Sequence, residues 1–254
     1  GKVGIGRNAI GSFEFAPGPE SVAVQDAYAD QARIASLSST VYSPGAISLQ
    51  PALCGQYSVV GLDGLSYATV LGADGKCWFA TNLGTTHVPT SATDSAGYGD
   101  LYQWGRLRDG HQLTTSATTN TLATNPTNPG TSSFILSPSS PYDWVTPQDN
   151  NLWGDANRTN NVCPAGWHVP SQAQWATWSN DAGLTSGASA GNNGTTLCGS
   201  NCLQAAYNTN LKLPAAGDRH YSSGSLLSQG SNGYYWAGTI TGTNAYDLNF
   251  NSQP

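Results

Sequence analysis

The clearest pattern of hydrophobic and polar positions lies in YSVVGLDGLSYATVLGADGKCWFATNLG, residues 57–84. It predicts three strands, separated by turns at Asp63-Gly64 and Asp74-Gly75, since Asp-Gly is a strong hairpin signal. Upstream, GKVGIGRNAIGSFEFAPGP places Val3, Ile5, Ile10, Phe13 and Phe15 among small and polar residues before prolines, predicting one or two short extended segments. ESVAVQDAYADQARIASLSS carries Val24, Tyr28, Ala32 and Ala35 at helical spacing and contains no Gly or Pro. It reads as an amphipathic helix with a thin apolar stripe that needs a packing partner. Residues 38–53 read as a linker with a strand or two.

Further along, YGDLYQWGRLRDGHQ predicts a short helix or an irregular turn. The stretch from Leu113 to Pro141, dominated by Thr, Ser, Asn and Pro, predicts an exposed excursion with few anchors. SQAQWATWSNDAG predicts a short helix: Pro170 precedes it, Ser171 is placed to cap it, and Gln174 completes a capping box. Trp175 and Trp178 then share one face. LKLPAAGDRH, NGYYWAGTI and NAYDLNFN predict short strands between Gly/Ser/Asn turns.

Composition narrows the class. Charged residues make up 9% of the 254-residue chain, against roughly 25% in an ordinary soluble domain. Gly, Ser, Thr, Asn, Pro and aromatics replace them, which suits a loop-rich, mostly β surface protein. The net charge of −6 and the scattered Lys and Arg argue against a nucleic-acid partner. No apolar run is long enough for a membrane span, and no signal peptide is visible in a chain that opens on Gly rather than Met.

Five cysteines and no methionine suggest an exported protein in an oxidising location. Cys54 and Cys77 flank the predicted strands and are natural partners. Cys198 and Cys202 could close a small loop or begin a zinc site, but no second Cys/His pair sits at suitable spacing. Cys163 is left over.

Several motifs together resemble the FISUMP domain, the Fibrobacter succinogenes major paralogous domain of exported bacterial proteins. They are DGLSYATVLGADGKCWFATNLG, YGDLYQWG, CPAGWHVPSQAQW, LKLPAAGDR and GYYWAGT followed by NAYDLNFNS, in that order. The resemblance covers roughly residues 54–252, with about 113–141 as an insertion and 1–53 as an N-terminal extension. It implies an α+β, β-rich fold, distantly like C-type lectins and formylglycine-generating enzymes, with a twisted antiparallel sheet, one or two short helices and long loops. Family members usually continue into a last strand bearing an Arg-Cys. Its absence here implies an open sheet edge and leaves Cys163 unpaired or available to another chain.

The candidate chemistry is sparse. His168 could act as a general acid or base, but the fold motif accounts for it as a ring set in a Trp-rich corner. The formylglycine-generating relatives use a reactive cysteine pair and a metal, whereas Cys198 and Cys202 suit a structural staple better. Asp149, Asn150, Asn151, Asp155 and Asn157 gather oxygen atoms that could hold Ca2+, although such clusters are more often plain turns. Tyr234, Tyr235, Trp236 and Tyr246 could present rings to a sugar, although aromatics favour strands and Trp236 reads as core. Asn157 and Asn193 fit the N-glycosylation sequon. The expectation is a non-enzymatic protein, extracellular or on the cell surface, with a structural or adhesive role. It would self-assemble into a pilus-like filament by strand addition, with no cofactor unless Ca2+. The alternative is a lectin-like module binding a surface glycan or protein.

Overall fold

The computed structural model describes residues 12–13, 53–154, 158–184, 186–187, 194–197 and 202–251. These form a strand-rich α+β structure with few helices and no closed barrel. In chain order the strands begin with β1 (Ser12–Phe13), β2 (Ser58–Val60), β3 (Ser66–Leu71), β4 (Cys77–Phe79), β5 (Thr118–Thr119), β6 (Phe134–Ile135) and β7 (Trp167–His168). Helix α1 (Gln172–Asp181), β8 (Ser186–Gly187), β9 (Gly194–Leu197) and helix α2 (Cys202–Tyr207) follow. The chain then forms β10 (Asp218–Arg219), β11 (Leu226–Leu227), β12 (Asn232–Thr241) and β13 (Asn244–Asn251). A five-stranded sheet runs β2-β3-β4-β1-β7 and a four-stranded sheet β12-β13-β9-β8, with β5-β6 and β10-β11 as two-stranded pairs.

The three strands expected between Cys54 and Gly84 are present as β2, β3 and β4. Both turns use the same local chemistry. Gly64 and Gly75 take the left-handed conformation (φ 80° and 70°), which glycine adopts without steric cost. One carboxylate oxygen of Asp63 accepts the Leu65 N–H at 3.0 Å, and one of Asp74 accepts that of Lys76 at 3.2 Å. Asp74 also holds the Trp78 indole N–H at 3.0 Å, tying the turn to the core. The Cys54–Cys77 disulfide, with Cα atoms 5.6 Å apart, staples the segment before β2 to β4.

Helix α1 starts where its sequence predicts. Ser171 accepts the Gln174 N–H and Gln174 reaches back to the Ser171 N–H, a complete capping box. Trp175 and Trp178 are fully buried from its inner face, 5.6 Å apart and edge-on, against Trp78. All eight tryptophans of the chain are at most 4% exposed, so the core is an indole cluster spanning both larger sheets.

The stretch from Leu113 to Pro141 is mostly exposed, as its composition predicts, and its few anchors are held firmly. Phe134 and Ile135 are fully buried, and β6 pairs in parallel with β5. Arg106, itself fully buried, donates to the carbonyls of Thr131 (2.6 Å) and Ser133 (3.0 Å), and Gln103 donates to that of Ile135 (2.9 Å). Side chains from a different segment satisfy this backbone, a contact that composition cannot reveal.

In the four-stranded sheet the edges lie at β12 and β8. The terminal strand β13 has neighbours on both sides, β12 antiparallel and β9 parallel. β12 breaks register with β13 between Trp236 and Ile240. There Gly238 donates its N–H to the Pro170 carbonyl at 2.8 Å and runs so close to Gly154 that a Cβ would stand 3.0 Å from its Cα. The predicted helix at 20–39 and the linker at 38–53 (Leu53 apart) lie outside the described residues.

Candidate functional site

The most consequential local arrangement is the slot taken by β1. Ser12 pairs with Trp78 on one side and His168 on the other, and Phe13 with Cys77 and Trp167, antiparallel to both neighbours. β4 and β7 are therefore joined through β1 and not through a ladder of their own. They are tied independently by a ring stack, because Phe79 of β4 and Trp167 of β7 lie 4.3 Å apart at 24°. The stack is a contact between the two walls separate from the strand that lies between them. The predicted β-prone character of GKVGIGRNAIGSFEF is seen at Ser12–Phe13, and the remainder of that segment lies outside the described residues. Its position between β4 and β7 carried no sequence signal.

His168 and Cys163 border the same region. His168 is 7% exposed, and its Nε2 lies 3.0 Å from Gln174 Oε1, the oxygen that also takes the Ser171 N–H. Its partner is a capping side chain. Cys163 is a free thiol, 3% exposed, and burial pushes its pKa well above the ordinary thiol range. It is thus unpaired, the first of the two outcomes the resemblance implied, and a buried, protonated sulfur is poorly placed for the second, a bridge to another chain.

The C-terminal tyrosines diverge. Tyr235 is fully buried, donating to the Pro214 carbonyl at 2.8 Å and accepting from Asn82 at 3.3 Å while its ring stacks on Phe250. It therefore presents no ring to a ligand. β12 buries both of its faces here, so Trp236 is buried as well. Tyr234 and Tyr246 are half-buried, and the Tyr234 hydroxyl accepts from Asn232 at 2.9 Å. The structure does not gather the three into one surface.

Asp149 and Asn151 form a turn, with the Asn151 N–H on Asp149 Oδ1 at 2.8 Å, and an Arg158 N–H reaches Asn151 Oδ1 at 3.4 Å. Asn150 and Gln148 donate to the Gly242 and Thr243 carbonyls, strapping this loop to the β12–β13 turn. Asp155, Asn157, Asn193 and Cys198 lie outside the described residues. Cys202 is disulfide-bonded. Among the described residues, no three His, Cys, Asp or Glu side chains converge as a metal site, and no helix is long and apolar enough to cross a membrane.

A buried charged network underlies the loops. Arg106 donates to Asp109 at 2.8 Å and to Gln103 Oε1 at 2.7 Å. His111 Nδ1 lies 2.7 Å from Asp109, and its Nε2 accepts the Gln103 N–H at 3.1 Å. An acceptor Nε2 requires the proton on Nδ1, so the ring is neutral. Burial pushes its pKa down to about 4, even with Asp109 alongside. Gln103, Arg106 and His111 are fully buried while the Asp109 side chain is 23% exposed, and none of them was singled out by the sequence.

No protein-family model, curated protein or solved structure matches the chain.

Proposed function

We propose that this is a non-enzymatic, extracellular surface protein with a structural or adhesive role, whose copies join by exchanging the N-terminal strand. The observation that carries this reading is β1 itself: a short segment remote in sequence from its neighbours sits in mid-sheet between strands that have no ladder with each other. Roughly forty residues separate Phe13 from Cys54, enough chain to span up to about 130 Å when extended. The same segment can thus fill the slot of its own chain or of a neighbour, and head-to-tail exchange that does not close gives a filament. The Phe79–Trp167 stack supports a slot that persists while strands exchange. The Cys54–Cys77 disulfide suits an oxidising exterior. The ordered motifs that resemble the FISUMP domain agree with a surface location.

The register supplies the test. Chains carrying Ser12→Cys and chains carrying His168→Cys are mixed at high concentration and oxidised, because these two positions face each other across β1 and β7. Exchange produces a disulfide-linked heterodimer from the mixture. Crosslinking seen only within the doubly substituted chain, with the mixture remaining monomeric in sedimentation and free of filaments in electron micrographs, would sink the proposal.

A further inference from the structure

A cavity of about 320 Å³ opens between residues 120–122, 136–141 and 143–148, away from the slot of β1. That is near the lower bound for small-ligand sites and has room for a single sugar ring. Its walls are fixed by backbone hydrogen bonds. Leu136 donates to the Thr119 carbonyl at 2.7 Å, Ala123 to that of Trp144 at 3.0 Å, and Thr146 back to that of Ala123 at 2.8 Å. Trp144, between the lining residues Asp143 and Val145 in the chain, donates its indole N–H to the Trp104 carbonyl at 2.8 Å and is fully buried. The cavity is therefore built on the core.

Its chemistry is uncharged but for one group. Leu122, Leu136 and Val145 give apolar wall, together with two prolines, while serines, Thr146, Asn120 and Gln148 supply hydroxyls and amides. Asp143, 4% exposed, is the one carboxylate in the lining, and no lining residue is basic. Ser137 is 3% exposed, and its Oγ has no hydrogen-bond partner among the described residues.

Beside the cavity stands an aromatic group. Tyr142 holds φ 62°, a left-handed conformation that bulky residues rarely adopt. It sets its ring edge-on to Tyr221 at 5.3 Å, and His220 lies against Tyr221 at 4.5 Å. All three are half-buried. The Tyr221 carbonyl accepts the Ser137 N–H at 2.9 Å, so the rings are fastened to the cavity wall. Tyr142 also donates its N–H to Ser139 at 2.8 Å.

We propose that this cavity and the Tyr142–Tyr221 pair form a binding site for a neutral saccharide. One sugar unit would occupy the cavity and the next would lie over the tyrosines. A sugar has an apolar C–H face that packs on aliphatic and aromatic groups, and hydroxyls that bond to amides, hydroxyls and a carboxylate. No basic side chain lines the cavity to recognise an anionic ligand. This goes beyond strand exchange and does not depend on it, since the crosslinking test and the binding test use different residues.

Saturation-transfer NMR on the full chain, with lactose, cellobiose, maltose and di-N-acetylchitobiose at millimolar concentration, tests the site. n-Butylammonium serves as a cationic control. At least one disaccharide should bind. Asn120→Trp at the exposed rim, which fills the mouth, and Tyr221→Ala should each weaken that binding about tenfold or more, with near-UV circular dichroism showing that the fold is kept. No transfer from any of the four sugars overturns the proposal, as does transfer that both variants leave unchanged. A response to butylammonium without one to the sugars overturns it in favour of a cation site at Asp143.

Discussion

Trp236 donates its indole N–H to the carbonyl of Tyr102 at 2.9 Å, and two residues on, Trp104 returns a bond to the carbonyl of Ala237 at 2.8 Å. The two segments lie more than a hundred positions apart in sequence and are laced by reciprocal bonds in a dry interior. Trp236→Phe keeps most of the apolar volume but leaves a buried carbonyl unpaired, which costs about 1–3 kcal/mol. Urea denaturation should show that loss as a lower midpoint with an unchanged slope. Trp104→Phe should behave alike, and the double variant should depart from the sum of the two, because the bonds share one interface.

Arg106 holds the 131–135 backbone in place. Replacing it by Ala strands the carbonyls of Thr131 and Ser133 and leaves Asp109 without its guanidinium partner. The expected loss is about 3–5 kcal/mol, the range for breaking a buried pair. Hydrogen exchange locates the effect: the Phe134 and Leu136 amides, bonded to the Ala117 and Thr119 carbonyls, should lose protection first. Equal loss of protection across β12 and β13 would argue against so local a role.

Local rules carried well where the deciding partners lie within a few residues. Asp63-Gly64, Asp74-Gly75 and the Ser171/Gln174 box each close their own turn or cap, and each is present as expected. The pairing of Cys54 with Cys77 was legible for the same reason. Failures begin where the partner is remote. Nothing near Leu113–Pro141 announces that Arg106 and Gln103 will satisfy its carbonyls. Tyr235 reads as a surface aromatic until Pro214, Phe250 and Trp175 enclose it. The placement of Ser12–Phe13 between β4 and β7 is likewise a long-range register that no short pattern encodes.

Cys163 should be inert while the protein is folded. Its sulfur is protonated and 3% exposed, and thiol reagents attack the thiolate. Titration with an aromatic disulfide reagent under native conditions should detect no thiol, and one per chain should appear on adding denaturant. Rapid native labelling would show that this corner opens far below the global unfolding free energy.

Acid sensitivity should trace to His111. Its pKa falls from the ordinary 6.5 to about 4 on folding, chiefly through burial. Between those values the unfolded chain takes up a proton that the folded chain refuses. Stability from this group is therefore complete above about pH 6.5, falls as pH drops toward 4, and levels off below; the full span is worth about 3 kcal/mol. Asp100 works the other way: burial raises its pKa to about 6, with Asp63 adding to the rise and Arg108, 3.8 Å away, opposing it. The folded chain keeps that proton between about pH 4 and 6, so Asp100 favours folding as pH falls and masks part of the His111 effect. Asp100→Asn removes the mask. Its stability, measured by urea denaturation at pH 4.5, 5.5 and 7, should fall more steeply toward acid than that of the unsubstituted chain. His111→Gln should flatten the slope in the same window. A His111→Gln profile as steep as the original would place the acid-sensitive proton elsewhere.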